Sequence, residues 1–412
     1  MLRDERQFVV AIVGAGHGGA NAAIALRQVG FKGPIRLISA DPNLPYERPP
    51  LSKEYLLGEK DSERLLIRPA SFWTERGIEL LLGEQVKAVD AAAHRLTTTS
   101  ANTIEYGQLI WAAGGETRRL SCSGHDLVGV HSLRSRSDAD AFLAELAHVT
   151  TAVIVGAGYI GLEAAAALIK HGKSVIVLED QDRVLARVAA EPLSRFVEAE
   201  HRHRGVEVRL GTQVDCIIGD ERVTGVRLAG GEVIGCELVL VGIGIDPAIG
   251  PLREAGAEVG NGIVVDAQCR TSLPDVFAIG DCALHPSRFS SAGPVRLESV
   301  QNAADQASVV AKAIMGSDAV YDAMPWFWSN QYDLKLQTVG LAAGHDEVVV
   351  RGEPATRSFS VIYLRHGRVI ALDCVNETKD YVQGRKLILS KTQVKAEDLA
   401  SADNRLADMI SP

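Results

Sequence analysis

The six cysteines, at positions 122, 216, 236, 269, 282 and 374, stand singly, with no Cys-x-x-Cys or Cys-x-x-x-x-Cys among them. That excludes a sequence-local redox disulfide, a zinc knuckle and an iron–sulfur ligand run. No apolar stretch approaches the roughly 18–20 residues needed to cross a bilayer. The opening Met1-Leu2-Arg3-Asp4-Glu5-Arg6 is too charged for a secretory leader, so the cytoplasm is the expected compartment. Positive charge is also in short supply. With 43 Lys and Arg against 52 Asp and Glu, the net charge of -9 argues against general attraction to nucleic acid. A chain of 412 residues, 46% hydrophobic and 23% charged, reads as an α/β protein of two or three domains.

Glycine is plentiful, and two clusters of it dominate the chain. Gly14-Ala15-Gly16-His17-Gly18-Gly19 follows the apolar run Phe8–Val13, and Gly156-Ala157-Gly158-Tyr159-Ile160-Gly161 follows Ala152–Val155. A lone G-x-G-x-x-G is weak, but here each follows a buried-type strand and opens a small-residue helix. In that setting the first glycine makes the turn and the second admits a pyrophosphate. The third lets helix pack on strand, and the helix N-terminus favours the phosphates. Two such units point to two dinucleotides and to electron transfer between them.

The two halves also match in order. Leu82-Gly83-Glu84-Gln85-Val86 is echoed by Leu210-Gly211-Thr212-Gln213-Val214. Each precedes an alternating meander and then a strand ending in glycine, Leu109–Ala112 and Leu238–Val241. This predicts two copies of one nucleotide-binding domain. A later strand, Val276–Ile279, delivers Asp281 at its carboxyl end, where α/β sheets bind ligands. The first domain is therefore expected to be discontinuous, 5–115 and 244–323, with the second, 116–243, inserted and a C-terminal α+β domain over 324–412.

The residue ending the second strand of such a unit normally takes the adenosine ribose hydroxyls. In the second unit this is Glu179, 23 residues after Gly156, and its carboxylate suits NADH over NADPH. In the first unit the candidate is Asp41, 27 residues after Gly14, which reads alternatively as a turn aspartate before Pro42.

Five segments carry a resemblance over nearly the whole chain. They are Leu44-Pro45-Tyr46-Glu47-Arg48-Pro49-Pro50-Leu51-Ser52-Lys53, Gly158–Glu163, Phe277–Asp281, Glu298–Ala303 and Pro325-Trp326-Phe327-Trp328-Ser329-Asn330-Gln331-Tyr332. The chain resembles the NADH-dependent ferredoxin reductases of bacterial oxygenase systems, of the putidaredoxin reductase and biphenyl dioxygenase reductase type. The resemblance implies a glutathione reductase-like α/β fold, with two Rossmann-type domains and a C-terminal α+β domain. It implies FAD in the first unit and NADH in the second, and a [2Fe–2S] ferredoxin as acceptor, feeding a cytochrome P450 or a Rieske-type oxygenase. The sequence does not fix the oligomeric state, monomer or homodimer.

Carried over by position, the resemblance assigns Arg48, Val86, Arg134, Asp281, Val300 and Gly244 to cofactor binding. Lys53 is implied beside the flavin and paired with Glu163, which faces the nicotinamide, while Trp328 covers the flavin ring. Each has a plainer reading: Lys53 as a solvated lysine, Glu163 as a polar residue of a first helical turn, Trp328 as core beside Trp326 and Phe327, Arg134 as surface. Ala112-Ala113-Gly114-Gly115 and Asp246 depart from the usual pattern. Acidic ferredoxins need a local basic patch, for which Arg365, Arg368, Lys379, Arg385 and Lys386 are candidates. An NADH oxidase with a small-molecule acceptor, and a redox-sensing protein like apoptosis-inducing factor, are the competing readings.

Overall fold

The computed structural model describes residues 8–410. The charged start at Met1–Arg6 and the outer domain limits 5 and 412 lie outside that range. The chain forms two compact units. The first combines the chain up to Arg48 with Ser62–Glu116 and Asp246–Pro325; the second combines Pro49–Asp61, Thr117–Ile245 and the chain from Trp326 onward. The expected first segment, 5–115, is thus interrupted at Pro49. Hydrogen bonds explain why Pro49–Asp61 sorts with the second unit. Tyr55 donates to Asp140 at 2.5 Å, and the Leu56 carbonyl meets His171 at 2.7 Å.

In the first unit five parallel strands lie in the order Val276–Ala278, Gln108–Trp111, Val10–Val13, Ile35–Ser39 and Ile78–Leu82. Their apolar runs are continuous rather than alternating because both faces are covered. Helices His17–Gln28 and Val300–Ile314 pack against each other through Ala20, Ala23, Ala307 and Ala311 on one face. An antiparallel meander of Val86–Asp90, Arg95–Thr98 and Thr103–Glu105 covers the other, burying Val86, Val89 and Leu96.

The second unit repeats the plan. Parallel strands Glu207–Arg209, Ser174–Leu178, Thr151–Val155, Leu238–Val241 and Val130–His131 carry the helix Tyr159–Lys170. The meander is Val214–Gly219, Val223–Leu228 and Val233–Gly235. The same unit holds a five-stranded antiparallel sheet, ordered Trp326–Gln331, Leu334–Gly340, Arg368–Val375, Ser358–Arg365 and Glu347–Glu353, followed by the helix Thr378–Ser390.

Steric contact explains where the first cluster tolerates no side chain. Gly14 has φ 102°, and a Cβ there would lie 2.2 Å from the Ala112 carbonyl oxygen. A Cβ on Gly19 would lie 1.8 Å from the Gly14 carbonyl oxygen, whereas on Gly18 it would make ordinary 3.5 Å contacts with Ala112 and Ile279. Gly19→Ala is therefore expected to cost about 3 kcal/mol through overpacking, and Gly18→Ala less than about 1 kcal/mol. Denaturant unfolding of the two variants separates them, and equal losses would contradict this packing.

Candidate functional site

Each unit presents a glycine cradle at a helix start. A Cβ on Gly16 would meet only Arg48 Nε, at 3.5 Å, and one on Gly158 only the Gly242 carbonyl, at 4.0 Å. The space before both helices is therefore clear. Neither helix has a side-chain cap at its N-cap glycine or an acid in its first turn. An uncapped, acid-free helix start behind a clear cradle fits one pyrophosphate per unit, as the residues of a dinucleotide site require. Ala15 is buried behind the first loop.

Backbone bonds align the two repeats residue by residue. The Gly14 amide donates to Ile38 O at 2.7 Å, and the Gly156 amide to Leu178 O at 2.8 Å. Glu84 N donates to Ser39 O and Thr212 N to Glu179 O, both at 2.8 Å. Ser39 is thus the counterpart of Glu179, and Asp41 that of Gln181. The longer link between helix and second strand in the first repeat, Val29–Pro34 against His171–Lys173, moves this position later in the chain, and Asp41 lies two residues beyond even that. Both Asp41 oxygens serve its own loop. One accepts from Asn43 N at 3.0 Å and Asn43 Nδ2 at 2.8 Å, the other from Tyr46 Oη at 2.6 Å. Glu179 Oε2 accepts from the Ala157 amide at 2.7 Å and Oε1 from the Gln181 amide at 3.1 Å, tying the acid to the second cradle. Burial, and then the neighbouring Asp180, raise the Glu179 pKa above the ordinary carboxylate range.

The second unit also gathers a buried polar cluster around Glu163, which is 4% exposed. Glu163 sits one turn after Tyr159 on the same helix face. The strand Trp326–Gln331 packs against that face with alternate residues: Phe327 lies 4.8 Å from the Tyr159 ring, and Ser329 donates to Glu163 Oε1 at 2.6 Å. A 3-10 turn, Pro49–Ser52, brings up the third partner, its two prolines presetting φ. Ser52 Oγ donates to Glu163 Oε2 at 2.6 Å and Lys53 Nζ at 2.8 Å. One carboxylate thus accepts three bonds from two hydroxyls and an ammonium, and Lys53 is 11% exposed. The structure brings Lys53 and Glu163 together as an ion pair. Trp328 points to the opposite strand face, half-buried, 5.5 Å from the Trp326 ring.

The other sequence candidates divide between the units. In the first, Val86 begins a meander strand and Asp281 lies in the turn after Val276–Ala278, its carbonyl accepting from Arg296 at 2.9 Å. Val300 opens its helix behind Ser299, whose hydroxyl caps Asn302 N at 3.1 Å, and the Arg48 guanidinium lies 5.6 Å from the Tyr46 ring. Arg134, whose amide donates to Asp138 at 3.1 Å, and Gly244, at φ 102°, belong to the second unit. Ser52 and Ser329 were missed as site residues, although both lie in segments singled out above. Alternation along Phe327, Ser329 and Gln331 was the available signal. All six cysteines are free, and burial pushes the Cys236 and Cys282 thiols up to about 12. Among the described residues no helix is long and apolar enough to cross a membrane, and no cluster can hold a metal.

Removing one member of a buried pair strands the other. Glu163→Leu is expected to cost about 3–5 kcal/mol, while the double variant Lys53→Met/Glu163→Leu recovers most of that loss. Denaturant unfolding of the cycle checks this, and additive losses would contradict it.

Comparison with known proteins agrees with this architecture. The pyridine nucleotide-disulphide oxidoreductase family matches residues 8–307, and the reductase C-terminal family residues 326–410. The chain is 59% identical to the 5,5'-dehydrodivanillate O-demethylase ferredoxin reductase subunit of Sphingobium sp., over 98% of each protein. It is 41% identical to rhodocoxin reductase of Rhodococcus erythropolis, over 96% of this chain and 92% of that protein. Its structure superposes on the reductase of the covalent putidaredoxin reductase–putidaredoxin complex with a TM-score of 0.94, at 36% identity and 98% coverage of each chain. The cradles, the matched repeats and these relatives together lead to one conclusion: the chain is an oxidoreductase that belongs to the pyridine nucleotide-disulphide oxidoreductase family, in the ferredoxin reductase group that carries the reductase C-terminal domain.

Proposed function

We propose that this enzyme is an FAD-dependent NADH:ferredoxin reductase that supplies electrons, through a [2Fe–2S] ferredoxin, to an oxygenase. When bound, FAD accepts two electrons together as a hydride from NADH and returns them one at a time. The first cradle, with Arg48, Val86, Asp281 and the Val300 helix start, holds FAD; the second holds NADH. Ser39 takes the place of a ribose-binding acid in the first repeat. In the second, Glu179 accepts from the ribose hydroxyls and repels a 2′-phosphate. Lys53 supplies positive charge where the flavin gains negative charge, Glu163 fixes Lys53 and orients the nicotinamide amide, and Trp328 shields the flavin from water.

The observation that carries this reading is the Lys53–Glu163 pair, because a buried ammonium and carboxylate are costly without a task. The absence of a cysteine pair supports an external electron acceptor, and six free thiols suit the reducing cytoplasm. On the helix Thr378–Ser390, exposed Lys379 and Lys386 share a face with exposed Val382 and Leu389, which suits an acidic partner with an apolar centre.

Two experiments test the reading. Lys53→Gln is expected to slow flavin reduction by NADH about 100-fold in anaerobic stopped-flow measurements; an unchanged rate removes Lys53 from the chemistry. Ferredoxin reduction is expected to fall steeply with added salt while reduction of a small neutral dye does not. Equal salt responses would count against a charged docking face.

A further inference from the structure

Beyond Ser329, a line of side chains leads from Glu163 out to the protein surface. Tyr332 Oη donates to His201 Nδ1 at 3.1 Å, and His201 Nε2 donates to Gln331 Oε1 at 2.9 Å. Gln331 Nε2 then donates to Ser329 Oγ at 3.2 Å, and Ser329 Oγ to Glu163 Oε1 at 2.6 Å. One assignment satisfies all four bonds. The Gln331 amide group faces Ser329, so its carbonyl faces His201 and requires a proton on Nε2. Nδ1 is then left to accept from Tyr332. Burial pushes the His201 pKa down, which favours the neutral ring this arrangement needs. Ser329, His201 and Gln331 are 0%, 1% and 4% exposed, so water does not compete for these bonds.

Every donor in the line points toward the carboxylate. Hydrogen bonds aligned in this way polarise one another, so each outer donor strengthens the final bond to Glu163. The outer end is held in place at some conformational expense. Tyr332 has φ 57°, in the left-handed region that aromatic residues avoid, at the turn between two strands of the C-terminal sheet. The Arg204 guanidinium lies 4.4 Å from its ring centroid and pairs with Asp333 at 2.6 Å. A surface depression of about 540 Å³, lined by Ile169, Lys170, Arg204, Tyr332 and Asp333, opens beside it.

We propose that Tyr332, His201, Gln331 and Ser329 form a polarised hydrogen-bond relay that orients Glu163 and tunes its hold on Lys53 during reaction with NADH. The four are positioning residues. Their action rests on the reading of the Lys53–Glu163 pair given above. The relay carries polarity and orientation rather than protons, because the Gln331 amide interrupts any proton wire between His201 and Ser329.

The test compares Ser329→Ala, Gln331→Met, His201→Met and Tyr332→Phe with Glu163→Gln, all as flavin-loaded enzymes. In anaerobic stopped-flow measurements Ser329→Ala is expected to slow flavin reduction about tenfold at saturating NADH, with NADH affinity unchanged. The effect should weaken in the order Gln331→Met, His201→Met, Tyr332→Phe. His201→Gln, which returns a donor to Gln331, should restore most of the rate. Thermal stability should rank differently, following the buried volume removed. Histidine-selective ¹⁵N spectra of the oxidised enzyme give a readout independent of turnover: the His201 ring resonances should report an Nε2–H tautomer and shift in Glu163→Gln. If Glu163→Gln is slow but the relay variants match the wild type, or their rates follow thermal stability, or the His201 resonances ignore Glu163→Gln, the relay is overturned. If Glu163→Gln itself reduces flavin at the wild-type rate, the reading of the site fails and the relay fails with it.

Discussion

A carboxylate removed from water must find its donors inside the protein, and Glu163 finds three of them in segments far apart in sequence. Ser52 and Lys53 come from a proline-led turn, and Ser329 from a strand of the C-terminal sheet. Each would leave a charge or a hydroxyl unpaired if its segment moved away, and in a low-dielectric interior that is expensive. The cluster therefore acts as a constraint on the backbone as much as a reactive group. It explains why Pro49–Asp61 sorts with the second unit and not with the segments on either side of it.

The duplicated cradles show one steric solution reached twice. Gly156 repeats the positive φ of Gly14, and a Cβ on Gly161 would lie 2.3 Å from the Gly156 carbonyl oxygen, as one on Gly19 would collide with Gly14. Where the repeats diverge, chemistry diverges too. Glu179 carries an acid tied to its cradle, while its counterpart Ser39 carries only a hydroxyl, which accepts from the Asp41 amide at 3.2 Å.

Much of this architecture was legible in the sequence. Glycine spacing after an apolar run marks a strand, a turn and a helix because few other residues survive there, and both sheets follow from it. The repeated Leu-Gly-x-Gln-Val correctly announced a second copy. Asp41 drew notice as a carboxylate just past the second strand, but strand register, which the sequence does not display, puts Ser39 and not Asp41 opposite Glu179. The site was only half legible. Lys53 and Glu163 stood out by resemblance, whereas Ser329, Gln331 and His201 lie on a strand and a helix whose meeting depends on tertiary packing. Alternation says that Ser329 and Gln331 share a face, but not what that face meets.

Electrons are proposed to enter this protein in pairs from NADH and to leave singly to an iron–sulfur carrier without passing through a thiol. The most direct measurement is anaerobic, with FAD-loaded enzyme, limiting NADH and excess [2Fe–2S] ferredoxin, before and after alkylation of accessible cysteines. Two ferredoxins reduced per NADH, in both cases, is the expected result. No ferredoxin reduction, or reduction abolished by alkylation, would rule out this route for the electrons.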